Sequence, residues 1–140
     1  MGVYSVSLHS AAAIIDNVPQ ELFDVTLIGI TQEGKWFLYD GTTDKINDDT
    51  WYKGNLCPVL LSMGEDFKGF IKLNPDDCTY EKLEVDCIFP VLHGRNGQDG
   101  TIQGLCQMTA IPFVGCDMTS SAVCMDKEFT HIICENSGIK

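Results

Sequence analysis

The sequence predicts an α/β domain with a mostly parallel sheet flanked by helices. Three observations carry this. Short apolar runs of strand character alternate with helical stretches, the pattern of a sheet covered by helices. Val85–Leu92 is an apolar run broken only by Asp86 and Pro90, which suits a strand buried on both faces. A glycine-rich loop, His93 to Gly100, follows that run and leads into a further helical stretch.

The elements are read in order. Ser5–Ile15 reads as a helix, with Ser5 or Ser7 as its cap and Ala11, Ala12 and Ala13 as strong helix formers. Asn17, Val18 and Pro19 end it. Asp24–Thr31 reads as a strand, Gln32-Glu33-Gly34 as a turn and Lys35–Tyr39 as the returning strand of a hairpin. Gly41–Trp51 is polar, with room for one short helix. Pro58–Ser62 and Lys68–Leu73 are two more short strands joined by Met63–Phe67, and Asn74–Asp77 is a turn. After Val85–Leu92, Asp99 can cap a helix that runs through Ala110. Ile111–Gly115 is a short strand. Thr119–Ser137 reads as two helices meeting near Met125 and Asp126, with Gly138 as the C-terminal cap.

The 140 residues fit one domain. Nine Lys and Arg stand against twenty Asp and Glu, a formal net charge of −11. Phosphate backbones are bound by basic side chains, so this balance argues against a nucleic-acid partner and equally against an anionic membrane surface. The seven cysteines form no C-x-x-C pair, and most lie in apolar runs. They read as reduced, buried residues of a cytoplasmic protein. Met1–Leu8 has no signal-peptide pattern, and no apolar stretch approaches the ~20 residues of a membrane helix.

Chemistry is expected in the loop Phe89-Pro90-Val91-Leu92-His93-Gly94-Arg95-Asn96-Gly97-Gln98-Asp99-Gly100. Open α/β sheets bind ligands at the carboxyl ends of their strands. Glycines allow close approach of the backbone, the next helix offers free N–H groups for an anion, and His93 can donate to a carboxylate or phosphate. From spacing alone, a plain turn with a locally bonded histidine explains the same residues. His9 reads as a surface or boundary residue and His131 as a partly buried structural one. Asp48-Asp49 and Asp76-Asp77 read as loop charges.

The segment "FPVLHGRNGQDGTIQG" closely resembles the F-P-x-L-H-G-x-x-G-E-D-G-x-x-Q-G signature of D-alanine–D-alanine ligases. "YSVSLHSAAAII" resembles the family's first helix, and "IPFVGCDMTSSAVCMDK" resembles the segment near the end of its first domain. "LIGITQEGKWFLY" and "INDDTW" look most like the vancomycin-resistance branch, which makes D-alanine–D-serine. The resemblance implies that residues 1–140 are the amino-terminal, pre-ATP-grasp, Rossmann-like domain, with the ATP-grasp domains absent from this chain. In the full-length family ATP and magnesium phosphorylate the first D-amino acid, and the amine of the second attacks the acyl phosphate to give a dipeptide for peptidoglycan.

By the same resemblance His93 is the catalytic contact to substrate and the transferred phosphoryl group. Ser7 binds substrate, and Lys127 reaches the nucleotide. No metal ligand and no tight binding of ATP or magnesium is expected of this chain alone. There are departures. The family's first strand and glycine-rich turn should precede Tyr4, and the strand is missing. The family's ammonium-binding glutamate aligns with Val3, and Gln98 stands for the usual glutamate of the E-D-G step. The expectation is therefore a ligase domain inactive by itself, with D-alanine and D-alanine or D-serine as substrates of the intact enzyme. The alternative is a non-catalytic binding or assembly module derived from a truncated ligase. A lost central strand leaves an open edge, which is a template for pairing, so a homodimer is expected.

Overall fold

Apolar residues at helical spacing and an alanine-rich centre give α1, Val3–Asn17. It starts earlier than the serine caps implied, so Ser5 and Ser7 lie within its first turns rather than at its cap. The computed structural model describes residues 3–64 and 66–139. Met1, Gly2, Glu65 and Lys140, and the parts of the Met1–Leu8 and Met63–Phe67 readings that fall on them, lie outside the described residues.

The hairpin forms as read. β1, Leu27–Ile30, pairs antiparallel with β2, Trp36–Tyr39. Gly34 closes the turn at φ 81°, and Thr31 N–H donates to the Lys35 carbonyl at 2.9 Å. The short helix of the polar stretch is α2, Thr43–Asn47. β3, Cys57–Leu61, and β4, Gly69–Asn74, match the two later strands. β5, Thr79–Glu84, was not expected. It is a mostly exposed edge carrying Glu81, Lys82 and Glu84, so it lacks the apolar signal of a buried strand. Lys72 on β4 meets Glu81 on β5 at 2.7 Å, a contact worth little on an exposed face.

The five strands form one sheet in the order β1-β2-β3-β4-β5, each pair antiparallel. The mostly parallel sheet is thus corrected. Parallel neighbours need a long crossover, whereas tight turns join β1 to β2 and β4 to β5. Val85–Leu92 is also not a full strand. It makes a single parallel bridge, Ile88 to Phe113. Ile88 N–H donates to the Pro112 carbonyl (2.8 Å), and Val114 N–H donates to that of Ile88 (2.9 Å). An apolar run becomes a strand only with backbone partners along its length, and Pro90 has no N–H to offer. Phe89 and Val114 stay exposed.

α3 is Thr101–Met108, α4 is Met118–Met125 and α5 is Lys127–Asn136. The break at Asp126 falls where the sequence placed it. Asp126 caps α5 by accepting the N–H groups of Glu128 and Phe129. Gly138, at φ 77°, ends it: Gly138 N–H donates to Glu135 and Ile139 N–H to Cys134, the double bond of a Schellman cap. α5 has no buried residue, so His131 is exposed, and not partly buried as expected. All seven cysteines are free, but only Cys106 is buried. Cys87 is exposed because its run is not enclosed by a sheet. Burial raises the Cys106 thiol above its ordinary pKa, which keeps it protonated and inert.

The core that anchors α1 consists of Ala12, Tyr39, Ile46 and Trp51, with Leu8, Ile15, Leu27, Phe37 and Leu56 packed against it. Trp51 stands edge-on to Tyr39, with centroids 6.1 Å apart and planes at 82°. Its Nε1–H donates to the Tyr4 hydroxyl at 3.1 Å. Gly29 is required here: a Cβ at that position would lie 2.2 Å from the indole. Packing of this kind fixes α1 relative to the hairpin, and α1 carries half of the candidate site.

Candidate functional site

Ser7 and Ser10 lie one turn apart on α1, the spacing that puts two side chains on one helix face. Both meet the loop that follows Leu92. His93 N–H donates to Ser7 Oγ at 2.9 Å, and Ser7 Oγ–H donates to the Val3 carbonyl at 3.3 Å. The His93 ring is half-buried. Its Nε2 lies 3.0 Å from Ser10 Oγ, and its Nδ1 lies 3.3 Å from Gln98 Nε2. The other end of the Gln98 amide accepts the Gly94 N–H at 2.8 Å. Backbone and ring of His93 are therefore held by separate groups, from positions 86, 83 and 5 residues away.

The loop has its shape for identifiable reasons. Gly94 sits at φ 74°, and a Cβ there would come within 2.6 Å of a Val3 methyl. Val3, aligned by resemblance with an ammonium-binding glutamate, thus packs over the loop glycine. Gln103, buried on α3, donates through Nε2 to the Gly97 carbonyl at 2.9 Å. Its Oε1 is buried with no partner among the described residues.

Asp99 stands at the start of α3 as expected, one residue before the cap position, Gly100. Its carboxylate accepts Asn96 N–H (2.9 Å) and Thr101 N–H (3.1 Å). These bonds, that to Asn96 first, hold its pKa below the ordinary carboxylate value. The free anion site expected at this helix start is therefore corrected: Asp99 itself takes the Thr101 N–H, and the Asn96 carbonyl takes that of Ile102. A carboxyl with a depressed folded pKa adds stability above its unfolded pKa and loses it as pH falls through the folded one. Asp99→Asn should therefore destabilise the domain at neutral pH by about 1 kcal/mol, a low figure because the carboxylate is solvent-screened. The deficit should shrink below the unfolded pKa in urea melts run from neutral to acid pH. A deficit independent of pH would contradict this.

Lys127, the third residue read as functional, is the exposed first residue of α5. Its side chain has no hydrogen-bond or ion-pair partner among the described residues. Ser7 and His93 are brought together; Lys127 is not joined to them by any contact. Ser10 and Gln98 were not singled out as site residues. Ser10 carried a faint signal in its three-residue spacing from Ser7. Among the described residues, no group of three or more His, Cys, Asp or Glu side chains is gathered for a metal ion. Two open depressions of about 330 and 380 Å³ flank the β1–β2 hairpin. Neither is lined by His93, Ser7 or Lys127. Among the described residues no helix is long and apolar enough to cross a membrane.

Two serines of one helix thus clamp a loop histidine, and comparison with known proteins gives the class. Residues 4–116 match the family model described as D-ala D-ala ligase N-terminus. The chain is 39% identical over 138 residues to a D-alanine–D-alanine ligase of Thermoanaerobacter sp. (strain X514), covering 99% of this chain and 38% of that protein. It is 37% identical to a putative D-alanine–D-lactate ligase of Streptomyces coelicolor, covering 97% and 37%. Among solved structures, the VanG D-Ala:D-Ser ligase from Enterococcus faecalis superposes with a TM-score of 0.90 at 44% identity, covering 100% of this chain and 40% of that one. The D-alanine–D-alanine ligase from Coxiella burnetii gives 0.81 at 30%, covering 96% and 37%. The chain belongs to the D-alanine–D-alanine ligase family and corresponds to its amino-terminal domain. It spans about two-fifths of the length of the curated relatives it matches.

Proposed function

We propose that this chain is the substrate-side part of a cytoplasmic, ATP-dependent ligase that joins D-alanine to D-alanine or D-serine for peptidoglycan precursors. The observation that carries this reading is the clamp of His93 between Ser7, Ser10 and Gln98, within the segment that resembles the ligase signature. His93 contacts the first substrate and the transferred phosphoryl group. Ser7 acts here by holding the His93 backbone, which leaves its hydroxyl engaged and narrows its direct role toward substrate. Lys127, exposed and unpaired, is free to meet a nucleotide phosphate supplied with the ATP-grasp portion. The 44% identity to a D-Ala:D-Ser ligase supports D-serine as the second substrate in the vancomycin-resistance manner.

The 140 residues alone span 38% of a relative. The half-paired run around Ile88 also leaves backbone open to a second copy. Assayed for phosphate release with D-alanine and magnesium ATP, and sized by sedimentation, the isolated chain is therefore expected to be silent and dimeric. Release above a heat-treated control would contradict the first expectation, and a strict monomer the second.

A further inference from the structure

We infer that Gln98 is a positioning residue that fixes the His93 imidazole as the uncharged tautomer with its proton on Nε2. A backbone N–H can only donate, so the Gln98 atom that meets Gly94 N–H at 2.8 Å is the amide oxygen. The direction of that N–H is set by the left-handed backbone of Gly94, at φ 74°, where a side chain would strike Val3. With the oxygen committed, the amide –NH2 faces His93 Nδ1 at 3.3 Å.

An amide nitrogen donates and does not accept. Nδ1 must therefore present its lone pair, and the single proton of the neutral ring sits on Nε2. Nε2–H then donates to Ser10 Oγ at 3.0 Å, and the Ser10 hydroxyl turns its own proton elsewhere. The Ser7 bond to His93 N–H keeps the ring in register with both partners. A carboxylate at position 98 would accept from Gly94 and from the ring alike, which would reverse the tautomer and strip the donor from Nε2. On the reading that this is a ligase substrate site, the consequence is an uncharged histidine whose one N–H rests on Ser10 Oγ and reaches a carboxylate or phosphoryl oxygen only by leaving or sharing that bond. The tautomer itself does not depend on that reading.

Long-range proton–nitrogen correlation NMR on the ¹⁵N-labelled full chain tests this, in alkaline buffer where a free imidazole is uncharged. The chain has three histidines, and His93→Gln assigns the signal. The expected wild-type result is a bare, pyridine-type Nδ1 and a protonated Nε2. Gln98→Glu is expected to exchange the two, and Ser10→Ala to leave them as they were. A wild-type ring protonated on Nδ1 would overturn the inference, as would a folded Gln98→Glu chain that keeps Nε2–H. Should Gln98→Glu fail to fold, Gln98→Met removes both bonds. Its nitrogen signals should then move toward the tautomer average of free histidine, and unchanged signals would overturn the inference. The readout needs no substrate, so a failure of the ligase reading would leave it unaffected.

Discussion

Truncation of Trp51 to alanine is expected to destabilise the domain by about 3–5 kcal/mol, the range for a large aromatic lost from a core. The indole is 4% exposed, fills the space left by Gly29, stacks edge-on to Tyr39 and bonds the Tyr4 hydroxyl. Removing it leaves a cavity where α1, α2 and the β1–β2 hairpin meet. Small domains have only about 5–15 kcal/mol in total, so the variant should unfold at a much lower urea concentration, read by circular dichroism. Trp51→Phe should recover much of the loss, since it refills most of the volume. A midpoint equal to wild type for Trp51→Ala would mean that this cluster does not hold α1 in place.

The second large effect concerns chemistry. In an intact ligase carrying this domain, His93→Ala should lower kcat by roughly 10²–10³-fold, the usual result of deleting one donor aimed at developing negative charge. Ser10→Ala should cost far less, because the Gln98 contact remains. Steady-state phosphate release reads both. An unchanged kcat for His93→Ala, with the protein folded, would reduce His93 to a loop residue bonded for structural reasons alone.

Local chemistry made several features readable from the residues. The hairpin follows from apolar runs on either side of Gln32-Glu33-Gly34. The division between α4 and α5 follows from Asp126, and the last helix end from Gly138, because caps act through neighbours in sequence. Sheet direction was not readable in this way. Val85–Leu92 has the composition of a buried parallel strand, yet its pairing depends on which backbones lie beside it, and among the described residues these give one bridge, Ile88 to Phe113, and one bond from Val85 N–H to the Lys68 carbonyl. β5 was hidden for the opposite reason, since an edge strand in solvent is rich in charge. Its pairing is set by β4, from Gly69 with Glu84 to Asn74 with Thr79.

The site divides along the same line. His93 and Ser7 were reachable through motif resemblance, and the fold does join them at 2.9 Å. Their supporting groups were not. Ser10 lies 83 residues from His93 in sequence, and Gln98 reads as a departure from a motif until its amide is seen between Gly94 and the ring. Lys127 carries the same motif weight as His93, but no contact among the described residues ties it to the clamp.

The most direct test is to exchange the matching part of a whole ligase. The VanG ligase, which this chain matches over 40% of its length, would keep its own residues up to the position of Tyr4 and carry Tyr4–Lys140 of this chain from there to the start of its later domains. Phosphate release would be followed with D-alanine alone and with D-alanine plus D-serine. The predicted result is release that requires a D-amino acid and rises when D-serine is added. A folded hybrid that releases phosphate no faster with D-amino acids than without them, or not at all, would contradict the assignment of this chain as a ligase substrate domain.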